Sequence, residues 1–199
     1  MAKRDIRNFN PNIFAKLEAD MWIAYYNHKF LSLFVLLFRL SYSHFHPNPF
    51  TTVSGAYHTA RAAMVFRMTR GNEDRQKILK HLTKFYRLLS DRNEASFNYQ
   101  KAAELELEWW LVDRYPKRYE KTRAVALSET MAAVYSTPAD KLTVYGEKRA
   151  AAMELLGDFH RDPKSKVEWV KLRKLLQDSF RALHNEVCIK DNVTQLRHS

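Results

Sequence analysis

Glu106 is followed at i+3 and i+4 by Trp109 and Trp110, a spacing that lays both indoles beside the carboxylate on one side of a helix. A carboxylate so placed loses hydration, so it needs a partner or a raised pKa. Possible partners recur elsewhere. Arg61 sits at helical spacing among Val53, Tyr57, Met64, Val65 and Met68, and Arg149 among Leu142, Tyr145, Ala152, Met153 and Leu156. Glu18 shares a stripe with Trp22 and Tyr25, while Asp113 lies with Glu106 between two apolar arcs. Acids and arginines on the apolar faces of four helices predict a buried ionic cluster. In one version Arg61 and Arg149 neutralise Glu18, Glu106 and Asp113 and fix helix register. In the other, which leads here, the helices enclose a pocket whose arginines hold a small anionic molecule bidentately. Such a pocket would be lined by Glu18, Tyr25, Tyr57, Arg61, Glu106 and Arg149, and no side chain is assigned a catalytic role.

Other chemistries lack their residues. Glu-x-x-His, the pairing of a di-iron bundle, does not occur, nor does His-Glu-x-x-His. Cys188 is the single cysteine, which excludes a thiolate zinc site and an intrachain disulfide. His44 and His46 beside Pro47 form a weak chelate at best, and His58, three residues before Arg61, is a candidate acid or base near the charged cluster. A Gly-x-Ser-x-Gly elbow and a phosphate loop are both missing. No metal and no cofactor is therefore expected.

The elements that must position these side chains are helices. The 199 residues are 46% hydrophobic and 13% aromatic, enough for a substantial core, and the four glycines are too few for the turns of a β-sandwich. Helical periodicity and Asn10-Pro11, Thr137-Pro138 and Asp162-Pro163 starts predict seven helices, about 12–45, 52–70, 73–90, 98–115, 117–135, 139–159 and 164–186. Thr137 and Asp140 have capping-box spacing. The expected fold is a single-domain all-α bundle with a long first helix at its centre, an N-terminal arm over 1–11, a helical domain over 12–186 and a polar tail over 187–199. Phe30 to Leu40 is the most apolar stretch, yet with Arg39 inside it is too short to span a bilayer and reads as a buried spine. Ala124, Ala126, Ala132 and Ala133 offer small residues for close helix contact.

Thirty-three Lys and Arg against 22 Asp and Glu give a net charge of +11. Much of it lies on two solvated faces. Lys77, Lys80, Lys84 and Arg87 oppose the Ile78, Leu82, Phe85, Leu89 stripe; Lys164, Lys171, Lys174 and Arg181 oppose Trp169, Leu172, Leu176, Phe180 and Leu183. These faces allow an alternative function, a non-enzymatic module docking on nucleic acid, weakly and without sequence preference, or on another acidic surface. A third is a structural homodimer joined through the excess apolar surface of the first helix.

Trp22-Ile-Ala-Tyr25-Tyr26 and Ala103-Glu-Leu-Glu106-Leu-Glu-Trp109-Trp110 resemble segments of an uncharacterised group of all-helical bacterial proteins. The resemblance implies a bacterial, cytoplasmic, single-domain helical protein. That group has no assigned activity, so no catalytic residue carries over. The N-terminal residues do not read as a secretory signal, which agrees with a cytoplasmic location.

Overall fold

A computed structural model describes residues 5–45, 49–161 and 168–188. Among them are eight α-helices: α1 Pro11–Tyr26, α2 Phe30–Phe45, α3 Pro49–Met68, α4 Arg75–Arg92, α5 Tyr99–Arg114, α6 Arg123–Tyr135, α7 Thr143–Arg161 and α8 Trp169–Val187. Two 3₁₀ turns, Pro116–Arg118 and Ala139–Leu142, join α5 to α6 and α6 to α7. The fold is an all-α bundle. Each helix packs on its neighbours in the chain, and α8 closes the circuit against α1.

Four helix starts, those of α1, α4, α5 and α6, are made by side-chain caps. The Asn10 carboxamide oxygen accepts from the backbone N–H groups of Asn12 and Ile13, with Pro11 at the first turn. Asp74, Asn98 and Thr122 cap α4, α5 and α6 in the same manner. Thr137 does not: its hydroxyl donates to the Tyr135 carbonyl, so the capping box with Asp140 is not formed and a 3₁₀ turn precedes α7. The expected start at Pro163 and the His44-x-His46 pair lie outside the described residues and side chains.

The long first helix is two helices. The chain leaves α1 through Asn27 and His28, the latter with φ 55°. The His28 N–H donates to Tyr25 O and the Lys29 N–H to Ala24 O. This is the bonding of a Schellman stop, and a histidine occupies the left-handed position that glycine usually takes. Nothing in the composition around residue 28 marks it.

The break also removes the central spine. The core is built from Ile6 and Phe9 in the leading segment, from α1, from Ala62 of α3 and from α4 to α8, with Leu82, Tyr145, Leu172, Leu176 and Leu183 among its most enclosed members. Of the described α2 side chains only Ser41 is buried, and Leu40 alone of its apolar residues packs on the core, from a half-buried position. α4 and α8 behave as their sequences predict, with the Leu stripes inward and Lys77, Lys80, Lys84, Lys171 and Lys174 exposed. The small residues of α6 do permit a close crossing. Gly146 of α7 lies so near Ala124 and Ser128 that no Cβ fits there.

Candidate functional site

Three of the six residues expected to line a pocket converge in the core. Glu18 on α1 accepts a hydrogen bond from Arg149 Nη2 on α7 at 2.5 Å, and Arg149 Nη1 donates to the Tyr145 hydroxyl at 2.8 Å. The guanidinium also lies about 6 Å from the ring centres of Trp109, Tyr145 and Phe180. Glu106 on α5 has two neutral donors, the Tyr86 hydroxyl at 2.9 Å and Trp110 Nε1 at 3.0 Å. Burial raises the Glu18 pKa, a shift that Arg149 opposes and the nearby Glu106 charge reinforces. Burial is likewise the main cause that lifts Tyr145 to about 12. The cluster thus holds one permanent cation paired with Glu18, and a second carboxyl, Glu106, bonded by neutral donors.

The other three candidates are elsewhere. Arg61 is exposed, its Nη1 3.3 Å from Met64 Sδ; Tyr57 is exposed beside His58 and His81; and Tyr25 meets Tyr26 edge to face, with Arg67 over its ring at 5.6 Å. The periodicity around Arg61 is correct and its direction is reversed. Val53, Tyr57, Arg61, Met64 and Met68 do share one stripe of α3, but that stripe faces outward. Asp113 pairs with Arg123 at 2.6 Å instead of with either expected arginine.

Further polar groups gather where periodicity gives no signal. His58 on α3 and His81 on α4 place their Nδ1 atoms 3.0 Å apart, away from the buried acids. Burial lowers both pKa values, and the neighbouring His81 and Lys84 charges add to the effect at His58, as Arg61 and Lys84 do at His81. At the α3–α4 junction Glu73 accepts from the Tyr115 hydroxyl at 2.5 Å and from Arg114 Nη1 at 3.0 Å. Burial opposes its ionisation, yet bonds from Tyr115, the Gly71 N–H and Arg114 outweigh that and hold the carboxyl at about 2. Lys121 joins Glu108 at 2.8 Å and Glu129 at 2.5 Å along a shallow groove between α5 and α6.

The most unusual surface is the hairpin of α2 and α3. Leu31, Phe34, Val35 and Tyr42 recur at helical spacing on the outer side of α2, with Leu31 87% exposed and Phe34 56%. On α3 the outer side carries Phe50, Val53, Tyr57, Met64 and Met68, Phe50 being 85% exposed. Its inner side is Thr51, Thr52, Gly55, Ala56 and Ala62. Along most of α3 large apolar residues thus face water and small ones face the protein, the inverse of an ordinary surface helix, while Val65 and Phe66 near its C-terminal end turn inward, Phe66 with its ring 5.2 Å from that of Trp110. One sequence signal coincides with this surface. From Met21 to Asn72 the chain has no Asp or Glu, and its formal charges are Lys29, Arg39, Arg61, Arg67 and Arg70. The exposed side chains form a largely apolar face whose formal charges are all cations, of the kind that marks interaction sites.

Among the described residues no helix is long and apolar enough to cross a membrane. Compared with known proteins, the chain matches no family model, no curated protein and no solved structure, so the chemistry of its own surface and core carries the functional argument.

Proposed function

We propose that this protein is a non-enzymatic docking module that seats its α2–α3 hairpin on an acidic surface. One observation carries this: two neighbouring helices each turn a row of large apolar side chains to solvent, and every charge on them is positive. The apolar stripes supply area to remove from water and the arginines supply the sign of the partner. The surface differs from the basic α4 and α8 faces, where lysines stand on the polar side of ordinary amphipathic helices. Those faces have few exposed aromatics to reinforce an electrostatic contact.

Fractionation of expressing cells tests it. Wild-type protein should follow the particulate material, and Phe34→Glu should move it to the soluble fraction while Lys80→Gln with Lys84→Gln should not. A wild type that is soluble throughout sinks the proposal. Release by the lysine changes alone would assign docking to α4.

Arg149 Nε, buried without a hydrogen-bond partner, favours a second reading in which the Glu18, Arg149 and Glu106 cluster takes a small anion. Native mass spectrometry followed by denaturation would release such a molecule, and a bare chain mass in both states would remove this reading.

A further inference from the structure

We infer that the surface on which the α2–α3 hairpin docks is the headgroup region of an anionic lipid bilayer. This rests on the docking reading above and names its partner. Three occupants compete for such a face, and its chemistry separates them. A second copy of the chain would bring the same five cations, Lys29, Arg39, Arg61, Arg67 and Arg70, against themselves with no carboxylate in the segment to pair with any. Nucleic acid would satisfy the arginines but leave Leu31, Val35 and Met68 in water, because phosphates and sugars offer no apolar layer. A bilayer interface offers both layers at once. Anionic headgroups meet the cations, and the boundary of the acyl chains accepts the apolar side chains at a depth of about 5 to 10 Å.

The details of the hairpin fit that layering. α2 has 16 residues, a length of about 24 Å at 1.5 Å each, so it lies along the interface and does not cross it. Arg61 stands inside the α3 stripe between Tyr57 and Met64, where a guanidinium on a long apolar stem reaches the headgroups while its stem stays with the apolar residues. Tyr42 and Tyr57 add exposed amphipathic rings, which suit such an interface. The cytoplasmic leaflet is the anionic one, which suits a protein whose sequence reads as cytoplasmic.

Co-sedimentation of the purified full chain with vesicles decides the matter. One set is phosphatidylcholine alone and the other contains about 30% phosphatidylglycerol, an anionic fraction that gives a strong surface potential. Binding to the anionic set should exceed the neutral set by about tenfold or more, and should weaken with salt. Phe34→Glu and Met64→Glu should each lower it by about tenfold, and Arg61→Gln by about fivefold, the factor for one cation near such a surface. Lys80→Gln and Lys84→Gln should leave it unchanged. All five positions lie in water or at its edge in the free protein, and a thermal melt of each variant confirms that the fold persists. Equal binding to both sets, or none, overturns the bilayer assignment. If vesicles fail while Phe34→Glu still releases the protein from the particulate fraction, the docking face stands and its occupant is different. A solution mass near twice 23.6 kDa that Phe34→Glu halves would give the face to a second copy. Anionic binding that survives Phe34→Glu and Met64→Glu would overturn both the bilayer and the face.

Discussion

Replacing one member of the Glu18–Arg149 pair tests whether the core charges act as a unit. The side chains are 8% and 16% exposed, so either partner left alone is a nearly dry charge. Glu18→Leu strands a guanidinium that cannot lose its proton. Breaking such a pair costs about 3 to 5 kcal/mol, and the lower end applies here because the Tyr145 hydroxyl and three aromatic rings still attend Arg149. Arg149→Met strands Glu18 instead, and a carboxyl can respond. Burial already raises the Glu18 pKa, and removing Arg149 raises it further. Where a folded pKa exceeds the unfolded one, the folded state binds more protons, so stability is fully present below the unfolded value near 4.5 and is lost as pH rises through the folded value. The cost of Arg149→Met should therefore be smaller at about pH 5 than at about pH 7.5, whereas that of Glu18→Leu should not shrink on acidification. The double variant should lie within about 1 kcal/mol of wild type, since apolar residues of similar size replace buried pairs with little loss. Urea unfolding of the four proteins at both pH values measures all of this. Additive losses in the double variant would refute coupling, and a pH-independent Arg149→Met cost would refute the dry carboxyl.

Three other outcomes follow from the geometry. Glu73, ordinarily 4.5 and held at about 2, contributes stability that is present above pH 4.5 and lost as pH falls toward 2. Linkage puts this at roughly 3 kcal/mol, which water at the rim of the bundle screens to about 2; Glu73→Gln should remove that part of the acid transition in urea melts. For His58 and His81, both lowered from 6.5, the neutral pair stabilises the fold above that value and the contribution fades as pH falls through the folded pKa values. Titration of the imidazole carbons by NMR should place both midpoints below 6.5, and His58→Phe should flatten stability between about pH 7 and pH 5. Gly146→Ala would raise helix propensity by about 1 kcal/mol in open space, but its Cβ meets Ala124 O and Ser128 Oγ, so a net loss of about 1 to 3 kcal/mol is expected in thermal melts.

How far the fold could be read depended on what periodicity measures. In α4 and α8 one stripe is apolar and the opposite side is lysine, so phase and direction coincide. In α3 the phase is equally clear, yet a repeat of 3.6 residues states only which side chains share a side. Direction was inferred from hydrophobicity, and Val53, Arg61, Met64 and Met68 point the other way. The stop after α1 was invisible because it is made by main-chain bonds around a left-handed histidine, with neither glycine nor proline to announce it. Within the core cluster, sequence identified Glu18, Glu106 and Arg149 as charges on apolar stripes. It did not show that Glu18 pairs with Arg149 across 131 residues, or that Tyr86 and Tyr145 complete their bonding, because a tyrosine in an apolar stripe looks like packing. Glu73 and His81 gave no signal at all, one from a junction and the other from a helix flank.

The orientation of α3 links the folding and docking arguments. Rotated by half a turn, the same helix would bury Phe50, Val53, Met64 and Met68, expose Thr51, Thr52, Gly55 and Ala56, and withdraw Val65 and Phe66 from the core. Each large side chain fully removed from water would stabilise the fold by about 1.5 to 3 kcal/mol. The observed orientation leaves that free energy unused in the isolated chain. What the small inner side provides is close approach: with Thr51, Thr52, Gly55, Ala56 and Ala62 inward, α3 packs on both α2 and α4, and of the described α2 residues Leu40 is the apolar one that reaches the core. A hairpin seated mainly through small residues, with Leu40, Val65 and Phe66 as its large inward members, keeps Phe50, Val53, Met64 and Met68 available. On a bilayer, the occupant we propose, the same stripes would regain the burial they lack in water, and the five cations of residues 21–72 would select the anionic leaflet.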